Sequence, residues 1–287
     1  MNTQMTNQSN KYRLLALDLD GTLTNREKQI SEKNKLYIRR AQEMGVDIIL
    51  ASGRPVIGIE NVARALDLYQ TGGYILAYNG GQIIDCKSGK SLVERFIPME
   101  YYHDICDVIH HFHVFPLTYN DVGVICEEDE DQYVRKEGYN NSVPIIKVPS
   151  LEAEVTRPVV KFMVVGEPTE LAKAKAWMAQ RFKGELNLFF SEPYFMEVTP
   201  PGIEKASALA ELTKILNIPR EMLMACGDGL NDIPMLEYAG LSVAMANAYE
   251  ETKKVADYIA PSNEDDGVAE AIERFILNDQ LLRDKLN

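Results

Sequence analysis

Arg13-Leu14-Leu15-Ala16-Leu17-Asp18-Leu19-Asp20-Gly21-Thr22-Leu23 is the stretch from which the rest of the chain is read. Residues 13–17 form a short apolar run of strand length. Two aspartates stand two residues apart where it stops, with Gly21 behind them to turn the backbone. Open parallel sheets bind their ligands outside the carboxyl ends of the strands, so a site is expected at this point. Carboxylates so placed can hold a hard divalent cation through oxygen and still leave an oxygen free to attack an electrophile. The run does not fit an EF-hand, whose glycine belongs at the sixth loop position: Gly21 comes too early, and no glutamate follows at the required distance.

Outward from this stretch, short apolar runs alternate with amphipathic helices. Ser31 can N-cap a helix that carries Tyr37, Ala41 and Met44 on one face and ends at Gly45, and residues 46–51 make a second strand. A helix over 55–67, with Pro55 in its first turn, precedes a strand over 74–77. The grammar returns near the end of the chain. Strands are expected at 222–226, 241–245 and 258–260, and helices at 231–238, from about 250, and at 267–277. The two stretches are expected to share one parallel sheet.

Asn79-Gly80-Gly81 and Pro200-Pro201-Gly202 bracket a segment of different texture. Within it, Ile105, Val108, Ile109 and Phe112 form one helical face and Leu171, Ala174, Met178 and Phe182 another, and residues 161–165, 186–190 and 195–199 read as strands. The expected architecture is α/β: a polar tail over 1–12, a Rossmann-like parallel-sheet core from 13–81 and 200–287, and an inserted α+β cap over 82–199.

The 287 residues are 46% hydrophobic and 25% charged, which excludes a disordered, collagenous or coiled-coil chain and allows two cores. The net charge of −13 is shared by core and insert, so no basic face awaits nucleic acid. No apolar run approaches the ~20 residues that span a bilayer, and the N-terminus is polar, so a soluble, cytoplasmic chain without a membrane partner is expected. Cys86, Cys106, Cys126 and Cys226 include no CxxC pair and suggest no disulfide scaffold.

Three further groups can carry chemistry. Ser52-Gly53-Arg54 stands at the second strand exit, where a hydroxyl, an accessible N–H and a helix start can receive an anion, although Ser52 could equally serve as a plain N-cap. Gly227-Asp228-Gly229-Leu230-Asn231-Asp232 places more carboxylates at a third strand exit, and such a cluster needs a cation, for which oxygen-seeking Mg²⁺ fits. Lys205 begins an apolar helix after the second hinge. Other features read as ordinary surface. His103, His110, His111 and His113 lie on or beside one cap helix, where His103, His110 and Asp107 could form a metal trio but a solvated polar side is the expected reading. Glu127 to Asp131 read as a solvated acidic loop, and Tyr194 to Glu197 as a strand that a hinged cap could bring over the site.

Taken together and in their chain order, with Lys205 before Gly227 to Asp232, these four motifs resemble the haloacid dehalogenase superfamily, and the insert resembles the large C2-type cap of its Cof-type sugar-phosphate phosphatases. Tyr78-Asn79-Gly80, Pro193-Tyr194-Phe195-Met196-Glu197, Glu237-Tyr238-Ala239-Gly240 and the run from Ser262 to Ala269 extend the resemblance from about residue 13 to 278. Ala206 departs from it, because a glycine often follows the motif lysine. The resemblance implies that Asp18 is the nucleophile forming an aspartyl-phosphate, and that Asp20 is the acid for the leaving alcohol and then the base for water. It implies Mg²⁺ held by the Asp18 side chain, the Asp20 carbonyl and Asp228, with Asp232 more distant, and phosphate held by the Leu19 backbone, Ser52, Gly53, Lys205 and Asn231. Arg54 is expected at the substrate. The expected activity is a Mg²⁺-dependent phosphatase of a small phosphorylated metabolite, a sugar phosphate above others. A phosphomutase or phosphotransferase, hydrolysis of pyridoxal phosphate or FMN, and a non-catalytic metabolite binder are the alternatives.

Overall fold

The computed structural model describes residues 11–278, so most of the expected polar tail and the residues after 278 lie outside it. The chain begins with β1 (Leu14–Leu17), α1 (Glu32–Glu43), β2 (Asp47–Ala51), α2 (Val56–Ala65), the short α3 (Leu68–Thr71) and β3 (Tyr74–Ala77), followed by the hairpin β4 (Gln82–Asp85) and β5 (Lys90–Glu94). A second unit then runs through α4 (Tyr102–His111), β6 (Val114–Tyr119), β7 (Val124–Cys126), α5 (Gln132–Asn141), β8 (Ile145–Lys147), α6 (Leu151–Glu154), β9 (Phe162–Gly166), α7 (Pro168–Phe182), β10 (Asn187–Glu192) and β11 (Phe195–Thr199). The chain returns to the first unit with α8 (Lys205–Ile215), β12 (Leu223–Gly227), α9 (Ile233–Tyr238), β13 (Leu241–Met245), α10 (Glu250–Val255), β14 (Tyr258–Ala260) and α11 (Gly267–Ile272).

The first sheet has the order β14-β13-β12-β1-β2-β3-β4-β5, parallel from β14 to β3 and antiparallel in the terminal hairpin. Both faces of β1 are covered, as a near-continuous apolar strand requires. Leu14 and Ala16 pack with Leu209 and Leu212 of α8 and Met235 of α9, whereas Leu15 and Leu17 pack with Ile38 of α1 and Ile272 of α11. The sheet is therefore the middle of three layers. Leu17 lies opposite Leu50 of β2 and Cys226 of β12, so the chain leaves three adjacent strands side by side. The N-cap of α1 is Ser31 as expected, its hydroxyl accepting from Asn34 N–H. Ser52 does not cap α2: Pro55 occupies that position without a side-chain bond.

The second sheet has the order β10-β11-β9-β6-β7-β8. Alternate residues of its strands divide between two faces. Phe162, Val164, Met196 and Val198 meet the α4 and α7 side chains, including Ile105, Leu171, Met178 and Phe182. Tyr119, Met163 and Phe195 point the other way, toward α5 and the first sheet.

We propose that the sheets are the centres of two domains, a core and an inserted cap. The expected boundary at residue 82 is corrected by the pairing. β4 and β5 belong to the core sheet, because Ile83 and Val93 cover its edge beside Leu76. The acidic run before α5 is also more than a solvated loop: Asp131 caps α5 through Tyr133 and Val134 N–H, Asp129 pairs with Lys147 at 2.8 Å, and Glu127 accepts from Leu151 N–H. No helix among the described residues is long and apolar enough to cross a membrane, and all four cysteines are free and buried.

Candidate active site

The turn after β1 is built around two acceptors. Leu19 C=O receives Leu23 N–H at 3.0 Å and Thr24 N–H and hydroxyl at 2.9 Å each, while Asp18 N–H is held by Cys226 C=O at 3.1 Å. Leu19 thus lends the turn its carbonyl and the core its buried side chain. Gly21 sits at φ +84°, where a Cβ would stand 2.3 Å from Asp228 Oδ2. Only glycine accepts both that conformation and the close carboxylate. Thr22 then donates to Asp228 Oδ1 at 2.7 Å and fixes its orientation.

Lys205, at the start of α8, lies fully buried beneath this turn and donates to Asp18 Oδ1 at 2.5 Å and Asp232 Oδ1 at 2.6 Å. Asp232 is anchored through its other oxygen by Asp228 N–H at 3.0 Å and Gly229 N–H at 2.8 Å. Asp18, Asp228 and Asp232 offer oxygens all within 4.8 Å of one another. With all three carboxylates ionised, one ammonium would leave two negative charges in a largely buried site. Burial, together with the charges of Asp232 and Asp228, pushes Asp18 well above the usual carboxylate range despite Lys205, and burial likewise brings Asp228 up to about 6. Burial opposes the charge on Lys205, but Asp18 and Asp232 raise it above the ordinary lysine range. An all-oxygen group with that charge deficit suits a hard divalent cation.

Asp20 is not part of this trio. Its carboxylate takes both arms of Arg54, at 2.7 Å from Nε and 2.6 Å from Nη2, and also accepts from Lys28. Burial alone would raise Asp20, but the two cations outweigh it and hold the carboxyl below its usual range. At the second strand exit, Ser52 is pinned by its N–H to Leu76 C=O at 3.0 Å and by its C=O to Asn79 N–H at 2.8 Å. Asn231 donates to Asn79 Oδ1 at 3.3 Å and so closes the ring of loops.

A cavity of about 660 Å³ opens above these groups. Its floor brings together Asp18, Asp20, Ser52, Gly53, Arg54, Asn231 and Asp232, all of them candidate residues from the sequence. Lys205, Leu19 and Asp228 support it from below or beside. Lys28 and Asn79 also reach the floor, and the cap contributes a roof that includes Lys136, Glu137, Lys161, Tyr194 and Glu197. None of these had been singled out as a site residue, except that Tyr194 and Glu197 lie in the stretch a closing cap was expected to bring over the site. The α4 histidines lie on the exposed side of the helix, where His103 bonds Glu152 at 3.1 Å and His111 bonds Asp107 at 2.8 Å, so that Asp107 is engaged by His111 rather than grouped with His103 and His110.

A family profile described as haloacid dehalogenase-like hydrolase matches residues 15–272. A Bacillus subtilis protein, the 5-amino-6-(5-phospho-D-ribitylamino)uracil phosphatase YcsE, is 35% identical over 92% of this chain and 96% of its own length. The crystal structure of a haloacid dehalogenase-like hydrolase from Bacteroides thetaiotaomicron superposes with a TM-score of 0.89 at 42% identity, covering 92% of this chain and 99% of that one. The subclass IIB sugar phosphatase BT4131 superposes with a TM-score of 0.76 over 92% of this chain and 98% of its own, at 24% identity, which speaks for the fold alone.

Proposed function

This chain belongs to the haloacid dehalogenase-like hydrolases and is a phosphatase of small phosphorylated metabolites; on that premise we propose that it hydrolyses sugar phosphates through an aspartyl-phosphate on Asp18 with Mg²⁺ as cofactor. The observation that carries the reading is the buried Asp18–Lys205–Asp232 arrangement beside Asp228, open to a cavity that also contains Asp20.

Lys205 occupies Asp18 Oδ1 and leaves Oδ2 to attack phosphorus as the ester P–O bond breaks. Ser52, Gly53 and Asn231 border the cavity with donors suited to the phosphoryl oxygens, and charge stabilisation of this kind carries most of phosphoryl-transfer catalysis. Asp18, Asp228 and Asp232, with the Asp20 carbonyl, would hold Mg²⁺, which supplies neutralisation of the transferred group. Asp20 moves the protons. While it is held by Arg54 and Lys28 it is an ionised acceptor, suited to taking a proton from the water that attacks the aspartyl-phosphate. The oxygens of an arriving phosphate ester compete for Arg54 and Lys28, which frees Asp20 to take up a proton from solvent and pass it to the leaving alkoxide, after which it is again the carboxylate that accepts the proton of the attacking water. An alcohol needs that proton and a halide does not, which favours phosphatase over dehalogenase chemistry.

One observation favours a second substrate type. Phe189, Phe190 and Tyr194 border the cavity, and Tyr194 stacks on Tyr133 with ring centroids 5.0 Å apart. An aromatic wall accepts a planar ring, as in the substrate for which YcsE is named, or in pyridoxal phosphate and FMN. The test is phosphate release by the wild-type protein from hexose and pentose phosphates, 5-amino-6-(5-phosphoribitylamino)uracil, pyridoxal phosphate and FMN, each with Mg²⁺ and with chelator. A kcat/KM highest for sugar phosphates and lost on chelation is expected. Preference for a ring-bearing ester would replace the sugar assignment, and transfer to a second sugar without free phosphate would replace hydrolysis.

A further inference from the structure

Lys161, immediately before β9, is a cap residue that reaches the core. Its side chain is only 2% exposed, its carbonyl is fixed by the Thr118 hydroxyl at 2.6 Å, and its ammonium lies 3.3 Å from Glu197 Oε2. The ammonium donates to Gly53 C=O at 3.1 Å and sits over the Tyr119 ring of the cap and the Tyr78 ring of the core, at 5.4 and 5.8 Å. A buried ammonium is costly to desolvate, and the pairing with Glu197 would compensate it within the cap. Its reach to Gly53 adds nothing to the cap itself. The two domains also meet at Gly58 of α2, where a Cβ would lie 2.8 Å from Asn141 Oδ1 of α5.

Gly53 C=O is one end of a planar peptide whose other end is the Arg54 N–H, and that N–H donates to Ser52 Oγ at 3.2 Å. An ammonium on the carbonyl polarises the peptide and strengthens the donation at its far end, since linked hydrogen bonds reinforce one another in a low dielectric. With a lone pair engaged by Arg54 N–H, the Ser52 hydroxyl has its proton left to give to a ligand in the cavity.

We propose that Lys161 is a positioning residue: through the Gly53–Arg54 peptide it orients the Ser52 hydroxyl toward the phosphoryl group, and it does so only while the cap is seated on the core. This rests on the reading in which Ser52 binds a phosphoryl oxygen. In this reading Lys161 acts through that peptide rather than on a reacting atom.

The experiment is a double-mutant cycle on phosphate release by the full chain with Mg²⁺, using wild type, Ser52→Ala, Lys161→Met and the double variant, with thermal melting of each. Lys161→Met is expected to lower kcat roughly tenfold with KM nearly unchanged, to lower it by less than about twofold once Ser52 is alanine, and to be rescued by Lys161→Arg. Where Lys161→Met leaves Glu197 unpaired and unfolds the cap, Lys161→Met/Glu197→Gln, compared with Glu197→Gln alone, takes its place. Equal losses of kcat with and without Ser52 would overturn the proposal. So would a rise in KM alone, which marks direct substrate contact, or the failure of every non-cationic Lys161 variant to fold. No phosphate release by wild type would remove the phosphatase reading first, and an unchanged rate in Ser52→Ala would remove Ser52 from the site.

Discussion

Asp18 and Asp232 share one buried ammonium, so Lys205 has two neighbours that depend on it. Lys205→Met is expected to lower the urea midpoint by the equivalent of about 3–5 kcal/mol, the usual cost of leaving a buried charge without its partner. A midpoint within error of wild type would mean that the two carboxylates are already protonated or hydrated. Gly21 is constrained in a different way, by a left-handed backbone and by Asp228 in the space of a Cβ. Gly21→Ala should displace Asp228 and reduce kcat/KM roughly tenfold or more at limiting Mg²⁺, with a smaller deficit at saturating Mg²⁺, because a misplaced ligand is felt first in metal affinity. Asp18, Asp20, Ser52, Asp228 and Asp232 were legible because each follows a strand end, where residue type and position point to a site together. Lys28 and Asn79 were not, since a lysine and an asparagine in loops are ordinary until the fold shows what they face.

The inner strands of the parallel sheet are apolar runs with both faces covered, which is why β1, β2, β3, β12 and β13 could be read to within a residue; β14, an edge strand with Ile259 half exposed, was read from its short apolar run alone. The β4–β5 hairpin could not be read: Gln82-Ile83-Ile84-Asp85 and the edge strand Lys90-Ser91-Leu92-Val93-Glu94 beside it are polar at their ends and only partly buried. Helix α5, with the sequence Gln-Tyr-Val-Arg-Lys-Glu-Gly-Tyr-Asn-Asn, has a single buried aliphatic residue, Val134, and no apolar period to reveal it. The polar contact that ties it to the sheet is buried: the Tyr119 hydroxyl donates to Glu137 at 2.6 Å, and Asn141 of the same helix donates to the same oxygen at 2.6 Å. Tyr119→Phe removes one of two donors to that buried oxygen and is expected to cost about 1–3 kcal/mol in chemical denaturation. A neutral effect would assign the hold on α5 to Val134 packing alone.

On the scale of the whole molecule, the site is assembled from segments far apart in sequence: Lys205 meets Asp18 across 187 positions and Lys161 meets Gly53 across 108. Periodicity reports on neighbours within an element, so it revealed that a cap exists but not which cap residues form its roof. The buried charge deficit also has a global consequence. Cation binding to the folded chain alone should raise the melting temperature, with about 2.7 kcal/mol of stabilisation at a hundred times Kd, and Asp228→Asn should remove most of that shift. A Mg²⁺-independent melt in wild type would argue against a cation at this trio. The central claim, that the carboxylate of Asp18 takes the phosphoryl group, is tested most directly by comparing phosphate release from the best sugar phosphate by wild type and Asp18→Asn, at saturating Mg²⁺ and in preparations free of host phosphatase. Loss of roughly three orders of magnitude or more in kcat, with the fold and melting behaviour retained, is the predicted result. Undiminished turnover by Asp18→Asn would contradict it.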